Sequence, residues 1–327
     1  MLTNRHKAFF INGGAGRVLC SIPAFEKYLE TDKDFIIVSE CGTDFFKGHP
    51  DLHSRVFDNW HKNLFNSHLK DRDIISLEPY RVWEYYNQKC NLSQAFDIQI
   101  SNKGIRDLNV PKIYLSKSEI AQGYSLVDEI KKQTGFDKCI VIQPFGRGVQ
   151  NNKDYVIDPS SRSFHLSNIV DIINILKRKY AIIVMSEFSI SLSDEKTVEY
   201  PVAMPQINDI RIWSSIIDAC DHFVGCDSVG QHIARSFNKT ATVCIGSTFP
   251  ENISYPNNND FDIIDLGYNK RTYSPIRLTV DDVPERLNDD TMEMNKDQIN
   301  LLINSIQKFV SPSKRIKQVD QHTCCSK

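Results

Sequence analysis

The stretch that decides the fold is Phe-Val-Gly-Cys-Asp-Ser-Val-Gly-Gln-His-Ile-Ala, residues 223–234 of the chain. An apolar run ends at Gly225, and Asp227 and Ser228 then supply side chains that favour the N-terminus of a helix. The pattern predicts a strand, a short turn and a helix over 228–237. The amides and the dipole of its first turn, with the Ser228 hydroxyl, predict a pocket for a diphosphate. The same pattern is also typical of an ordinary capped helix with a buried histidine.

Strands and helices alternate on both sides of this stretch. The predicted strands of the second half occupy residues 139–144, 181–185, 222–225 and 241–245. Its predicted helices occupy residues 166–179, 210–220 and 228–237. Polar loops are expected over 146–163 and 250–290. Such alternation is typical of a doubly wound parallel sheet, so the predicted fold class is α/β.

The first half opens with the same unit. An apolar run at 8–11 leads into Asn12-Gly13-Gly14-Ala15-Gly16, and a helix followed by a strand over 35–39 is expected next. Glycines allow a tight turn and a close approach to a ligand, so Gly13, Gly14 and Gly16 are equally consistent with structure and with ligand contact. Over the following region the pattern is weaker, and it predicts short helices that alternate with strands near 74–75 and 96–100.

The chain is expected to divide near residues 134–138. A helix predicted over 117–133 ends at Gly135, a residue type that often terminates helices. The length of 327 residues suggests about two domains. The predicted units are an N-terminal domain, a C-terminal domain, and a closing helix with a polar tail, over residues 1–134, 135–294 and 295–327.

Composition argues against several classes of protein. A formal net charge of -2 gives no overall basic field, which argues against a dedicated nucleic-acid-binding module. The nine cysteines lack the spacing of a zinc site and predict reduced thiols. No signal-peptide pattern and no apolar run of ~18 residues occurs, so we expect a cytoplasmic protein without a membrane span. The histidines at 49, 53, 61 and 68 are expected at the surface or near the acceptor, with no metal.

Several motifs together resemble those of the heptosyltransferase-like glycosyltransferases. Ala-Cys-Asp at 219–221, the stretch 223–234 and Gly-Ser-Thr-Phe-Pro at 246–250 are similar to the part of that family that binds the nucleotide-diphosphate sugar. Gly-Gly-Ala-Gly-Arg-Val-Leu-Cys-Ser-Ile-Pro-Ala-Phe at 13–25 resembles its opening glycine loop and helix. Pro-Phe-Gly-Arg at 144–147, followed by Arg-Ser-Phe at 162–164, resembles the segment after the first strand of its C-terminal domain. The similarity runs through both halves in the family's order.

The resemblance implies a B-type glycosyltransferase fold, in which two Rossmann-like domains face each other and a C-terminal helix closes the fold. The acceptor would bind the N-terminal domain and a nucleotide-diphosphate sugar the C-terminal one. It implies no cofactor or metal, because helix amides and basic side chains can offset the charge of the departing diphosphate. Arg147 is the candidate for the cationic role and Glu187 for a contact to the ribose or base; a surface charge and a solvated loop acid are the alternatives for these two. The implied donor-binding residues are Arg147, Arg162, Glu187, Asp227, Ser228, Gln231, His232 and Thr248.

The chain departs from the resemblance at one position. The family commonly has an Asp directly after the third glycine of the opening loop, which acts as the base on the acceptor hydroxyl, whereas this chain has Arg17. A guanidinium does not accept a proton at neutral pH. Glu40 and Asp44 follow the second predicted strand and are the candidate replacements. Arg17 is itself a candidate to bind a phosphate of the donor or acceptor.

The function class therefore has alternatives at this stage. The leading expectation is transfer of a sugar to a hydroxyl of a glycan or a lipopolysaccharide-like saccharide. The basic cluster Lys270, Arg271 and Arg277 keeps transfer to a hydroxymethylated base in DNA as a second expectation. A nucleotide-sugar epimerase and a catalytically inactive nucleotide-sugar-binding protein are further alternatives. The sugar, the nucleotide, the stereochemical outcome and the oligomeric state are not indicated by the sequence.

Overall fold

The computed structural model describes residues 6–152, 155–192, 200–272 and 290–312. Within these residues two parallel sheets form, one in each half of the chain, together with a two-stranded antiparallel ribbon. The predicted α/β class is confirmed. Arg277 and the tail beyond residue 312 lie outside the described residues.

The first sheet contains, among the described residues, four strands in the order β3-β2-β1-β4. The strands are β1 (Lys7–Ile11), β2 (Phe35–Ser39), β3 (Val56–Asp58) and β4 (Asp73–Leu77). The helices of this half are α1 (Ala15–Tyr28), α2 (Trp83–Tyr86) and α3 (Leu92–Ser101). Phe9 of β1 packs edge-on against Phe25 of α1, with 5.6 Å between the ring centroids. This face of the sheet is therefore fixed against α1 by large apolar side chains.

The second sheet contains six described strands in the order β12-β11-β10-β5-β8-β9. The strands are β5 (Cys139–Gln143), β8 (Ala181–Val184), β9 (Val202–Ala203), β10 (His222–Gly225), β11 (Ala241–Ile245) and β12 (Phe261–Asp265). The ribbon pairs β6 (Gln150–Asn152) with β7 (Tyr155–Ile157). The helices that follow the first half are α4 (Lys117–Thr134), α5 (Leu166–Leu176), α6 (Ile210–Ala219), α7 (Val229–Ser236), α8 (Pro250–Ile253) and α9 (Lys296–Phe309). Nearly every residue of the central strands is buried, as expected for a sheet covered on both faces.

Helix α4 packs with the second half of the chain. It contacts α6, β5 and β8. At Gly123 the two helices are so close that a Cβ would fall 2.2 Å from Ser215 Oγ, so only glycine fits there. α9 covers the other face, where Thr242 and Ser305 share a buried hydrogen bond of 2.8 Å. The domain limits near residue 134 stay a prediction.

The structure corrects three local predictions. Residues 96–100 lie in helix α3 and not in a strand, because Asn91 and Gln94 form a reciprocal capping box and Asn102 ends the helix in the left-handed region. The predicted polar loop 146–163 contains the ribbon β6-β7, and the predicted loop 250–290 contains α8 and β12. Both loops were predicted from their polar residues, although short edge strands tolerate such residues.

Candidate active site

The carboxyl ends of three neighbouring strands meet at one edge of the first sheet. Ile11 of β1 is in register with Ser39 of β2 and with Leu77 of β4. The residues that follow these positions, Asn12, Glu40 and Glu78, therefore emerge side by side at this edge. Ligands of open α/β sheets bind outside this edge.

The glycine bend of the first half faces the start of α7 in the second half. A Cβ on Gly16 would lie 3.2 Å from His232 Cδ2 and 3.4 Å from the Cα of Val229. A Cβ on Gly14 would lie 3.9 Å from Arg147 Cδ. The two segments singled out in the sequence are thus brought together, and glycine allows this close approach.

A glutamine from β5 caps the first turn of α7. The side-chain Nε2 of Gln143 donates to Ser228 Oγ at 2.9 Å, and its Oε1 accepts the N–H of Gly230 at 2.9 Å. Ser228 is the N-cap residue by position, but its hydroxyl makes no capping hydrogen bond. The capping hydrogen bond expected of Ser228 is made by Gln143, which also donates to the Ser228 hydroxyl.

Gln231 and His232, in the first turn of α7, are buried, and each contacts a residue that follows α8. Gln231 Oε1 accepts a hydrogen bond from Ser254 Oγ at 2.7 Å. His232 Nδ1 lies 2.8 Å from the Tyr255 hydroxyl. Burial lowers the pKa of His232 to about 4, although Asp227 acts in the opposite direction. His232 is therefore a neutral imidazole beside the glycine bend and contributes polarity without charge.

Asp227 connects three loops of the second sheet. Its Oδ2 accepts a hydrogen bond from Thr248 Oγ1 at 2.9 Å, which joins the loops after β10 and β11. Burial acts to lower the pKa of Arg162, but the carboxylates of Asp227 and Asp158 raise it above its ordinary value. The pair of acids therefore holds a permanent cation on this side of the cleft.

Asp158 organises the loop that carries Arg162. Its Oδ1 accepts from the backbone N–H of Ser160 at 2.8 Å, and its Oδ2 accepts from Ser163 Oγ at 2.5 Å. Ser160 Oγ in turn accepts a hydrogen bond of 3.0 Å from Arg162 Nε. Although burial acts to raise it, these hydrogen bonds lower the pKa of Asp158. Arg162 is thus preorganised, whereas Arg147 is exposed.

Arg17 points back toward the first sheet. Its Nη2 donates to the Leu77 carbonyl at 2.7 Å, and its guanidinium carbon lies 4.9 Å from the centre of the Tyr80 ring. The side chain is also 5.8 Å from the Phe96 ring and is buried. The guanidinium is therefore fixed by protein groups at the end of β4.

The remaining predicted site residues occupy different surroundings. Glu40 is exposed, and its Oε2 accepts the N–H of Gly13 at 3.0 Å. Asp44 forms an ion pair of 2.5 Å with Lys47, and its carbonyl accepts a hydrogen bond from Arg211. Glu187 is exposed in the segment after β8. Glu40 thus supports the glycine bend.

Several solved structures are similar to this fold. A glycosyl transferase family 9 protein from Veillonella parvula has a TM-score of 0.61 at 11% identity, over 94% of this chain and 98% of that chain. The ADP-heptose lipopolysaccharide heptosyltransferase II of E. coli gives 0.61 at 11%, over 92% and 99%. The dodecameric, iron-containing E. coli heptosyltransferase TibC in complex with ADP-D-β-D-heptose gives 0.51 at 11%, over 94% and 77%. The chain has the fold of these glycosyltransferases.

The likeness confirms, at the level of the fold, the resemblance drawn from the motifs. Two Rossmann-like halves face each other, as in the B-type glycosyltransferases. No family model and no curated protein sequence matches the chain. Among the described residues no helix is long and apolar enough to cross a lipid bilayer, and no group of three or more potential metal ligands converges.

Sequence reasoning missed three residues that shape this site. They are Gln143, Asp158 and Glu78, and none of them lies within a recognised motif. Gln143 ends the buried run Ile-Val-Ile-Gln, and Glu78 follows the strand that ends at Leu77. A polar residue at the carboxyl end of a parallel strand is the signal that was available, because these ends carry the ligand sites.

Proposed function

We propose that the chain is a glycosyltransferase that moves a sugar from a nucleotide-diphosphate sugar to the hydroxyl of a saccharide acceptor. The observation that carries the proposal is the approach of Gly16 to His232, because it joins the glycine bend to the start of α7 across a cleft. Both segments lie at the carboxyl ends of their sheets, where open α/β folds bind ligands. The shared fold with a heptosyltransferase that binds ADP-D-β-D-heptose supports a donor of this chemical class.

The charges near α7 suit a departing diphosphate. The positive end of the α7 dipole, the guanidinium of Arg162 and the exposed guanidinium of Arg147 surround the loops after β5 and β10. Such groups stabilise negative charge that grows as the sugar–phosphate bond breaks. His232 and Ser228 add neutral polar groups to the same pocket. We therefore expect the second half of the chain to bind the nucleoside diphosphate that departs.

A saccharide is favoured over DNA as the acceptor. Arg271, one member of the basic cluster, donates to the Gly246 carbonyl at 3.0 Å and forms an ion pair with Asp265. Its guanidinium therefore stabilises the loop after β11, and it is not available to bind the phosphate backbone of DNA. The net charge of -2 also disfavours DNA as the acceptor.

We also propose a cytoplasmic location, which the seven free cysteines of the described residues support.

The proposal is tested first by binding. Thermal unfolding is measured with ADP, GDP, UDP and their sugar conjugates, and one nucleotide series is expected to raise the melting temperature. Ser228→Ala should reduce that stabilisation, whereas Ser54→Ala, at an exposed position shortly before β3, should not. A chain that none of these nucleotides stabilises contradicts the proposal.

Turnover separates the alternatives that share nucleotide binding. Release of the nucleoside diphosphate is measured with and without added oligosaccharides, and the sugar product is identified by mass and linkage. A transferase yields an extended oligosaccharide. An epimerase yields an altered free sugar or nucleotide sugar, and binding without release indicates an inactive protein. DNA that carries hydroxymethylated bases is included as the competing acceptor.

A further inference from the structure

Glu78 lies at the edge where the acceptor is expected and belongs to no recognised motif. It directly follows β4, and its neighbours in register are Asn12 after β1 and Glu40 after β2. Its side chain keeps 18% of its surface exposed, although Oε1 is itself buried. The Arg17 guanidinium lies next to it, with Nη2 3.6 Å from Oε1.

Buried polar atoms without a partner gather around this residue. Asn12 Oδ1, Arg17 Nε, Glu78 Oε1 and Gln99 Oε1 are all buried and have no hydrogen-bond partner among the described residues. Gln99 is held here through its Nε2, which donates to the Glu78 carbonyl at 2.9 Å. Orphaned buried polar groups are few in folded proteins, and a cluster of them indicates a place where a polar ligand or ordered water completes the hydrogen bonds.

The other carboxylates near the cleft are already engaged. Glu40 accepts the Gly13 amide, Asp44 is paired with Lys47, and Asp227 accepts the Thr248 hydroxyl. Glu78 differs from these acids, because its buried Oε1 accepts no hydrogen bond from the described residues. Oε1 is buried beside Arg17, so the 18% of the side chain that stays exposed does not include this oxygen.

Arg17 connects Glu78 to the glycine bend. Arg17 follows Gly16 in the chain, and a Cβ added to Gly16 would lie 3.2 Å from His232 Cδ2 of α7. Arg17 also contacts the ring of Tyr80, two residues after Glu78. Glu78 is therefore paired with Arg17, and Arg17 follows the glycine that packs against the proposed donor pocket.

We propose that Glu78 is the general base that takes the proton of the acceptor hydroxyl, and that Arg17 is the positioning residue that holds its carboxylate. This inference rests on the proposed transferase function. The acceptor oxygen forms a bond to the anomeric carbon while the bond from that carbon to the diphosphate oxygen breaks. The electron pair leaves with the nucleoside diphosphate, and the hydroxyl proton passes to Glu78. A positioned base of this kind contributes roughly 100-fold or more to the rate.

The test uses the full chain and the nucleotide sugar that stabilises it most. Glu78→Gln should slow release of the nucleoside diphosphate by about 100-fold or more, while the stabilisation by the nucleotide is unchanged. Glu78→Asp, which keeps a carboxylate, should retain more activity than Glu78→Gln and guards against a variant that fails to fold. Glu129→Gln, on the exposed face of α4, is the matched control and should leave the rate unaltered.

The outcomes separate the two proposals. If the wild-type chain transfers sugar and Glu78→Gln does so equally well, or if Glu40→Gln causes the loss instead, the assignment of Glu78 is overturned and the transferase proposal stands. If the wild-type chain binds none of the nucleotides, both the transferase proposal and the role of Glu78 are overturned.

The positioning role of Arg17 has its own test. Arg17→Met should lower kcat without changing KM for the donor, and Arg17→Lys should recover part of the lost kcat. An unchanged kcat in Arg17→Met overturns the positioning role.

Discussion

Arg211 of α6 and Glu119 of α4 form a two-point ion pair, with Nε 2.5 Å from Oε1 and Nη2 2.9 Å from Oε2. The same guanidinium donates to the carbonyls of Asp44 and Tyr114 at 2.8 and 2.5 Å. One buried side chain thus joins two helices of the second half to segments of the first half. The ion pair therefore ties α4 and α6 to the segments that contain Asp44 and Tyr114.

Removal of Arg211 should destabilise the whole protein. Arg211→Met leaves the Glu119 carboxylate and two carbonyls without their partner, and breaking a buried pair in this way costs about 3 kcal/mol. The free energy of unfolding is measured by urea titration. Lys27→Met, which removes the exposed Lys27–Glu30 pair, is the control and should cost less than about 1 kcal/mol. Equal effects of the two substitutions would contradict the joining role.

The same pair predicts a loss of stability in acid. The hydrogen bond from Arg211 lowers the pKa of Glu119 from 4.5 to about 2, although burial acts to raise it. Above pH 4.5 both the folded and the unfolded chain have this carboxylate ionised, and its full contribution is present. Between pH 4.5 and about 2 the unfolded chain takes up the proton first, so stability falls.

Glu119→Gln should remove this part of the acid sensitivity. Urea titrations at about pH 6 and about pH 3 are compared for the wild type and the variant, and the variant should lose less stability between them. Glu129→Gln, on the exposed face of the same helix, should behave as the wild type. A variant as acid-sensitive as the wild type would show that other carboxylates cause the loss.

Gln143 should be essential for the start of α7. Gln143→Leu leaves the Gly230 amide and the Ser228 hydroxyl without this partner, and the cost is about 1–2 kcal/mol. Gln143→Glu keeps an acceptor for the amide and places negative charge at a helix N-terminus, so it should retain more stability. That charge should nevertheless weaken nucleotide binding, because the diphosphate is also negative. Unfolding and nucleotide titration are measured for both variants, and equal nucleotide affinity would argue against a diphosphate at this turn.

Arg147 should matter for the donor and not for the fold. The side chain is exposed and lies beside Gly14, so Arg147→Gln should leave the melting temperature of the free protein unchanged. Loss of a charged hydrogen bond to the diphosphate should weaken nucleotide binding about tenfold. Isothermal titration with the stabilising nucleotide gives the affinity. Arg178→Gln, before β8 at the opposite edge of the sheet, is the control, and an equal weakening there would indicate a general effect of charge.

The sequence predicted elements well where the signal was local. The strands at 139–143 and 241–245 are apolar runs bounded by polar residues, and α4 ends at Gly135 with φ of 73°. The residues Phe96 to Ile100 by themselves predict a strand, whereas the capping box of Asn91 and Gln94 starts helix α3. The signal that predicts helix α3 is therefore local, and it lies in Asn91 and Gln94.

The sequence predicts which segments form the candidate site, but not the long-range hydrogen bonds within it. The glycine bend and the stretch 223–234 do meet. The partner of the Gly230 amide is Gln143, 87 residues away in the chain, and the partner of Arg17 is the carbonyl of Leu77, 60 residues away. No local pattern links such positions, because strand order in the sheet decides which chain ends are neighbours.

The sequence by itself determined the alternation of strands and helices, the glycine bend and the helix start at Ser228, since periodicity, glycine and capping residues act over a few positions. Only the tertiary structure decided that Arg17 turns toward β4, that Gln143 caps α7 and that Glu78 stands among unpartnered polar atoms. The physical reason is that each buried polar group takes whichever partner the packing of sheets and helices brings within hydrogen-bond distance.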